Sequence, residues 1–552
     1  MNGGISLWLT PSPQGNRKTN KKCNEMNMSR YPTLLIDNFK RIGSFTGNKV
    51  FFHQNVFLPM VLVFLFVFLS AFQTAEGDDA KRPNIVFAFA DDWGIHASIY
   101  ETAGIKTPNF DRVAEAGVRF DRAFMDAPSC TPARGAVLTG QNPWRLGPGA
   151  NLHGELPAEI PVYPDLLEES GYFVGYTRKG WGPGNVEAGG RDRNPAGPHF
   201  DDFDSFLENR PEGQPFTFWF GSQDPHRSVR PGELHLEKGI DPNDVEVPAK
   251  YPDVPKIRED IAEYYAQVQR FDREVGELIE KLEEIGELGN TMFVIGSDHG
   301  WPFPRGKSNL YDDGTHVPLV IWWPERMNEM GTGGRIINDF VLKSDLAPTF
   351  LEAAGVTSPP QMTGRSLMPI LDSDREDRVQ SYRNYVLLAK ERHHGLAREG
   401  GKGYPGRAIR TEGFLLIRNF ETDRWPLGAP YISSSQGIFS DSDDGLTRQY
   451  LIDHANDPEV KHYFLRIFDK RPELELYDLR NDPDQLNNVA EEPEYQTVKA
   501  QLWSLLESEL RALADPRIFG DGDKFDEYPY HVGYGKEQVD PLPQLREVLG
   551  YD

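Results

Sequence analysis

Paired polar side chains follow two apolar runs of strand length in this 552-residue chain. Asp91 and Asp92 directly follow one run, and Asp298 and His299 directly follow another. Functional groups in parallel α/β sheets gather outside the carboxyl ends of the strands, so we expect these side chains to lie together. Converging carboxylates repel unless a cation or proton separates them, and oxygen ligands suit calcium or magnesium. Either pair alone could cap a helix, but two pairs at equivalent strand ends favour a metal site.

A second candidate for chemistry is Cys130, in the segment 128–140 (PSCTPARGAVLTG). The other cysteine is Cys23, in an N-terminal region with the pattern of an export signal, so Cys130 would stand alone in the exported protein. Most lone cysteines are inert buried thiols. Here Pro132 fixes the backbone just after the cysteine, and Arg134 lies one helical turn beyond it. A guanidinium at that spacing can pair with an oxyanion or stabilise a reactive neighbour.

Strands and helices alternate over most of the chain and must position these groups. Continuous apolar runs at 84–90, 216–220, 291–297 and 317–323 are typical of central strands in a parallel sheet covered on both faces. Apolar residues spaced by three and four from 260 to 288 predict a long amphipathic helix packed on that sheet.

The alternation predicts an α/β domain over residues 82–371. Beyond a charged stretch at 372–378 the pattern changes, and we expect a smaller α+β domain over 379–552. Strands are predicted at 385–389 and 407–418, and a helix at 495–513.

Composition limits the class of protein. Apolar residues make up 38% and charged residues 26%, as in soluble globular proteins, and the net charge is −25. That charge excludes general nucleic-acid binding, which needs a broad basic surface. A basic region, the apolar run 56–72 and small residues follow one another within residues 1–75, the order found in an export signal. We therefore expect a periplasmic, extracellular or lumenal protein, or a membrane-anchored one if the segment is not cleaved.

The segment around Cys130 resembles the signature of the formylglycine-dependent (type I) sulfatases, in which the cysteine of Cys-x-Pro-x-Arg is oxidised to formylglycine by a maturation enzyme. The match is complete over residues 128–140, and the resemblance extends from residue 82 to residue 483. Within the family, the segments 224–227 (DPHR) and 297–311 and the helix from residue 260 are most similar to heparan N-sulfatase. The resemblance implies an alkaline-phosphatase-like α/β fold with a smaller C-terminal α+β domain.

The resemblance also implies roles for individual residues. Four side chains would bind a calcium ion beside the formylglycine of Cys130, namely Asp91, Asp92, Asp298 and His299. The spacing of these residues alone does not exclude magnesium. The groups that would act on the substrate are Arg134, which stabilises the formylglycine hydrate, Lys179 and Lys307, which hold sulfate oxygens, and His226, which protonates the leaving group.

One segment departs from the family pattern. The second sulfatase signature usually runs Gly-Lys-x-His, whereas this chain has Trp181 at the histidine position. The usual base for the last step is therefore missing or comes from elsewhere. His153 and His316 are candidates, although an isolated histidine is more often a structural group.

A polar loop in the second domain carries His393 and His394, followed by Arg407, Arg410 and Arg424. The loop could simply be a solvated charged surface. Alternatively it covers the cleft and binds the sugar, a role that the resemblance favours for His393 and His394 because a similar pair occurs in heparan N-sulfatase.

The expected activity is hydrolysis of sulfate from a sulfated carbohydrate, with N-sulfoglucosamine favoured and a carbohydrate O-sulfatase as the alternative. A phosphodiesterase or phosphonate hydrolase of the same superfamily, and a non-catalytic carbohydrate-binding protein, are further alternatives. The sequence leaves the oligomeric state open.

Overall fold

A computed structural model of the chain describes residues 82–227, 234–434, 437–532 and 537–550. The expected export signal in residues 1–75, together with Cys23, lies outside the described residues. Within these ranges, no helix is both long enough and apolar enough to span a bilayer.

The strands are β1 Asn84–Ala90, β2 Val118–Phe120, β3 Ala123–Phe124, β4 Phe173–Arg178, β5 Phe216–Gly221, β6 Thr291–Ser297, β7 Leu319–Trp322, β8 Arg335–Ile337, β9 Val341–Leu342, β10 Tyr385–Lys390, β11 Gly406–Thr411, β12 Phe414–Asn419, β13 Ile432–Ser433, β14 Leu474–Asp478 and β15 Glu537–Gln538.

The α-helices are α1 Pro108–Ala116, α2 Cys130–Thr139, α3 Tyr163–Glu169, α4 Phe203–Asn209, α5 Leu234–Glu237, α6 Pro255–Glu284, α7 Asp312–Thr315, α8 Pro324–Met330, α9 Leu346–Ala353, α10 Met368–Leu371, α11 Leu446–Asp453, α12 Lys461–Phe468, α13 Gln496–Ala512, α14 Lys524–Glu527 and α15 Pro543–Leu549. Short 3₁₀ helices lie at Ser98–Tyr100, Pro143–Arg145, Gly147–Ala150, Pro242–Asp244, Lys343–Asp345, Glu399–Gly401, Pro493–Tyr495 and Pro516–Phe519.

The larger sheet has seven strands in the order β4-β5-β1-β6-β7-β2-β8. β1 runs parallel to both of its neighbours, β5 and β6, as its fully buried apolar sequence predicts. The expectation of a parallel sheet is wrong for β7, which is antiparallel to β6 and β2. Parallel neighbours need a crossover element, usually a long helix, whereas only the four-residue α7 lies between β6 and β7.

The register of the central strands brings their carboxyl ends to one edge. Ala90 at the end of β1 lies opposite Ser297 at the end of β6, and the amide of Asp298 donates to the carbonyl of Ala90 (3.2 Å). The amide of Ser222, just after β5, donates to Phe89 (2.9 Å). Residues that follow three different strands are therefore adjacent.

Helix α6 covers one face of this sheet with 30 residues, and its buried apolar side follows the predicted spacing. It begins earlier than predicted because Pro255 occupies the first helical position, where its missing amide and fixed φ are tolerated. It ends at Glu284, four residues before the predicted end.

The second sheet is antiparallel, with strand order β10-β11-β12-β14. The single strand predicted over 407–418 is a hairpin of β11 and β12, because Glu412 and Gly413 form a turn. The predicted helix over 495–513 is α13, shorter by one residue at each end. Apolar residues of the second sheet share one core cluster with β3 and with the β6–β7 and β8–β9 connections, and its members include Phe124, Leu310, Phe340, Leu388, Ala408 and Leu415. The domain bounds 82–371 and 379–552 stay predictions.

Arg407 in β11 ties the second sheet to the segment after α13. Its guanidinium is fully buried and pairs with Asp515 (2.6 Å) and Glu391 (2.7 Å). Glu391 also pairs with Arg517 (2.6 Å). Buried charges of this kind are stable only while every partner is present.

We predict that Arg407→Ala lowers the free energy of unfolding by about 3–5 kcal/mol, because it leaves the buried carboxylate of Asp515 without its cation and removes one of the two cations paired with Glu391. Arg511→Ala removes the exposed pair with Glu507 and should cost about 0.5 kcal/mol or less. Chemical denaturation of both variants measures the free energy of unfolding. Similar losses in the two variants would contradict the prediction that the buried ion pair contributes more than the exposed one.

Candidate active site

Four buried side chains from three parts of the chain meet at the edge where β1 and β6 end. The ligating atoms of Asp92, Cys130, Asp298 and His299 all lie within 4.8 Å of one another. Cys130 Sγ is 3.3 Å from His299 Nε2, and the backbone amide of Asp92 donates to Asp298 Oδ1 (3.0 Å). Two carboxylates, an imidazole and a thiol are thus brought together, and each of these residues is at most 3% exposed.

This cluster fits a divalent cation. Asp92 Oδ1 is buried and accepts no hydrogen bond from the described residues. His299 Nδ1 lies 3.0 Å from the carbonyl of Gly300, so Nδ1 carries the proton and the lone pair on Nε2 points 3.0 Å from Asp92 Oδ1. Two lone pairs facing each other in a buried site require a cation or an extra proton between them.

Asp91 makes different contacts from its neighbour Asp92. Both of its carboxylate oxygens accept from Lys179 Nζ, at 2.7 and 2.6 Å, and Oδ1 also accepts from Arg134 Nη2 (3.3 Å). Burial alone would raise the pKa of Asp91, but Lys179 and Arg134 hold it well below its usual range. Asp91 lies 3.7 Å from Cys130 Sγ and outside the four-residue cluster.

Arg134 joins the ends of several strands from within helix α2. Its side chain is fully buried, and Nε donates to Asp298 Oδ2 (3.0 Å). Nη1 donates to the carbonyls of Lys179 (2.9 Å) and Gly180 (3.2 Å), just after β4. A single guanidinium therefore fixes the carboxylates and the segment that carries Lys179.

Cys130 is the first residue of α2, one helical turn from Arg134. Its side chain is 3% exposed, and burial raises the pKa of the thiol. The helix ends where Gly140 adopts a left-handed conformation (φ 61°) and donates its amide to Ala136, a position that suits glycine.

A cleft of about 450 Å³ opens above the cluster. Of the residues selected from the sequence, seven line it in addition to Cys130, namely Lys179, Lys307, His226, His153, Trp181, His393 and His394. Tyr176, Arg178, Asn194, Ser440 and Asp443 also line it and carry no motif that identified them from the sequence.

Lys307 lies in the loop between β6 and β7 and contacts three acceptors. Its Nζ donates to Asp92 Oδ2 (2.8 Å), Asp443 Oδ2 (2.9 Å) and His226 Nε2 (3.1 Å). Burial alone would lower the pKa of Lys307, but Asp443 and Asp92 hold it well above its usual range. His226 Nδ1 is 3.1 Å from the carbonyl of Arg227, so Nδ1 carries the proton and Nε2 accepts from Lys307.

The two histidines predicted to bind sugar follow β10, at the edge of the second sheet. His393 Nδ1 lies 2.8 Å from the hydroxyl of Ser129, the residue before Cys130. Burial lowers the pKa of His393 to about 3, so this side chain is neutral at neutral pH. His394 Nδ1 accepts from the amide of Leu396 (3.3 Å), so its proton is on Nε2.

The structure separates the two histidines proposed as the missing base. His153 lines the cleft, and burial, His394 and Lys179 lower its pKa to about 4. His316 is not among the cleft-lining residues: its Nε2 lies 2.9 Å from the carbonyl of Asp121, and its ring stacks on Phe124.

The arginines expected near the sugar-binding loop lie elsewhere. Arg410 pairs with Asp312 and Arg424 with Asp526, and Arg407 is buried as described above. The loop itself reaches the cleft through its histidines, but these three cations already have carboxylate partners outside it.

Trp181 is a packing residue and cannot take the acid–base role of a histidine. Its indole is 3% exposed within the core cluster on one side of the larger sheet. The indole also approaches Gly135 of α2, where an added Cβ would lie 3.6 Å from Nε1. A large ring therefore occupies the place where the family pattern has a histidine.

The comparison with protein families matches a sulfatase model to residues 83–193 and 196–356. A second model, described as N-sulphoglucosamine sulphohydrolase, C-terminal, matches residues 297–428. The chain belongs to the sulfatase family. The second match confirms the resemblance to N-sulfatases that the sequence motifs predict.

This sulfatase is 27% identical to human N-sulphoglucosamine sulphohydrolase over 483 residues, which cover 78% of the chain and 89% of the relative. It is 23% identical to an N-acetylglucosamine-6-O-sulfatase of Bacteroides thetaiotaomicron, over 81% of the chain and 89% of the relative. A solved structure in complex with its substrate D-glucosamine-2-N,6-O-disulfate superposes with a TM-score of 0.57 and 21% identity, covering 79% of this chain and 99% of that one. These likenesses confirm the alkaline-phosphatase-like fold. Sulfatases generally use formylglycine and a divalent metal.

We predict that calcium raises the Tm of the protein by about 3 °C or more at saturation, because binding to the folded state alone stabilises it. Asp298→Asn should abolish this shift. Asp126→Asn is a matched control, because Asp126 is an equally buried carboxyl outside the cluster, with its pKa raised to about 7 by burial. Thermal unfolding with calcium and with a chelator tests this, and an unchanged shift in Asp298→Asn would place the ion elsewhere.

Proposed function

We propose that this sulfatase removes sulfate from N-sulfoglucosamine residues of a heparan-type saccharide, with Cys130 as the residue converted to formylglycine. The observation that carries the proposal is the meeting of Cys130, Lys179, Lys307 and His226 in one cleft above a buried metal-type cluster. Export of the mature protein is part of the proposal and is supported by the order of basic, apolar and small residues before residue 75.

The cations in the cleft complement the negative charge of a sulfuryl group. A sulfuryl group carries negative charge on its oxygens, and preorganised cations stabilise charge that grows during transfer. Lys179 lines the cleft beside Cys130, and its ammonium group is held by Asp91 (2.6 Å). When bound, a calcium ion would add Lewis-acid stabilisation, and formylglycine would supply the nucleophilic oxygen.

Asp91, Asp92, Asp298 and His299 would hold that ion, and Asp91 also supports Lys179. Arg134 fixes Asp298 and Asp91 and so keeps the ligands near Cys130. His226 lines the cleft with its side chain 38% exposed, which supports the proposed role of this side chain in protonating the leaving group.

The N-sulfated substrate is supported by the family model on residues 297–428 and by the relative named N-sulphoglucosamine sulphohydrolase. An O-sulfatase is the second candidate, supported by the relative named N-acetylglucosamine-6-O-sulfatase at a similar coverage. Both candidates use the same nucleophile and metal, so only the sulfated position distinguishes them.

We predict that the matured protein releases sulfate from N-sulfoglucosamine faster than from glucosamine 6-O-sulfate in the presence of calcium. Ion chromatography of released sulfate, with an aryl sulfate as the positive control, measures both rates. Release from the 6-O-sulfate alone would leave the sulfatase chemistry intact and replace the N-sulfatase proposal with the second candidate.

We predict that His394→Ala lowers kcat/KM for the saccharide at least about tenfold and for the aryl sulfate less than about threefold, because a neutral Nε2–H donor would be lost from sugar contact. His316→Ala, outside the cleft, serves as the control. Equal losses on both substrates would exclude a role of His394 in sugar recognition.

A further inference from the structure

Every hydrogen of the Lys307 ammonium has an acceptor within the protein. The three acceptors are the Oδ2 atoms of Asp92 and Asp443 and the Nε2 of His226, at 2.8, 2.9 and 3.1 Å. The Lys307 side chain is 4% exposed. A substrate entering the cleft therefore does not meet an isolated cation, but a cation already paired with the carboxylate of Asp443.

Asp443 keeps one oxygen directed away from this pairing. Oδ2 bonds to Lys307, whereas Oδ1 accepts no hydrogen bond from the part of the chain that the structure describes. The side chain is 19% exposed and lines the cleft. Burial alone would raise the pKa of Asp443, but Lys307 and His226 lower it, so the carboxylate is charged at neutral pH.

The segment that carries Asp443 is held in place from two sides. Asp441 Oδ2 accepts from Arg398 (2.7 Å), and its Oδ1 accepts from the amide of His394 (2.7 Å). The carbonyl of Asp441 accepts from Ser308 (2.7 Å), next to Lys307. The position of Asp443 is therefore set by the sugar-facing loop and by the Lys307 loop together, as a recognition group requires.

We propose that Asp443 is a substrate-recognition residue that accepts a hydrogen bond from a sugar hydroxyl or amino group beside the sulfated position. The same charge disfavours a second anionic group at that place, because like charges in a partly desolvated cleft repel strongly. The proposal builds on the proposed saccharide substrate. Asp443 Oδ2 lies 4.0 Å from Nε2 of His226, the residue proposed to protonate the leaving group.

A purely structural role is the competing explanation, in which Asp443 only neutralises and positions Lys307. The two roles differ in their effect on ligands of opposite charge. If Asp443 recognises a donor, removing its charge weakens binding of an aminosugar and strengthens binding of inorganic sulfate. If it only positions Lys307, its loss weakens both.

The test uses hydrolysis of an aryl sulfate as the reporter and measures competitive Ki values for glucosamine and for inorganic sulfate. For Asp443→Asn we expect a Ki for glucosamine about tenfold higher, the size expected for a lost charge-assisted hydrogen bond, and a Ki for sulfate about threefold lower. Asp443→Glu, which keeps the charge, should leave the Ki for sulfate within about twofold of the wild-type value.

Asp444→Asn is the matched control, since Asp444 is 74% exposed and its contact with Arg448 is 3.6 Å. Both of its Ki values should stay within about twofold of wild type. Parallel increases of both Ki values in Asp443→Asn, unchanged values, or a wild type that glucosamine does not inhibit would each overturn the proposal. The reporter does not require saccharide turnover, so a failure to release sulfate from N-sulfoglucosamine would count against the proposed function separately.

Discussion

Three carboxylates, Asp91, Asp92 and Asp298, lie buried where two adjacent parallel strands end, and their mutual repulsion is the constraint on which the rest of the site depends. Each uncompensated buried charge would cost several kcal/mol. The compensation comes from Arg134, Lys179 and Lys307, which reach the strand ends from α2, from the end of β4 and from the β6–β7 loop. Because Cys130 begins the helix that carries Arg134, the same electrostatic balance places the thiol beside the cluster.

The second sheet completes the cleft instead of standing apart from it. His393 contacts Ser129 directly before Cys130, and Asp441 and Asp443 connect the loop that carries His393 and His394 with Lys307. Most of the cleft thus comes from the part of the chain that carries the larger sheet, and the C-terminal part adds His393, His394, Ser440 and Asp443 to its wall.

Sequence reasoning was strongest where the chemistry is local. The bounds of β1 and β6 follow from unbroken apolar runs stopped by polar pairs, and the motif from Pro128 to Gly140 is contiguous. It failed where pairing is decided by distant contacts. The antiparallel direction of β7 depends on the missing crossover helix, and Asp443 bonds to a lysine 136 residues away without any periodic signal. His316 could not be separated from His153 by sequence, because both are isolated histidines and only the fold puts one in the cleft.

The proposed chemistry depends most directly on the state of residue 130, so the decisive measurement is the mass of the peptide that contains this residue. The protein would be produced in a host with a formylglycine-generating enzyme and digested for mass spectrometry, with aryl sulfate turnover measured on the same preparation. We predict the mass of an aldehyde at position 130 and sulfate release in proportion to the converted fraction. An unmodified thiol in a preparation that hydrolyses the sulfate ester, or a converted residue with no hydrolysis of any sulfate, would contradict this prediction.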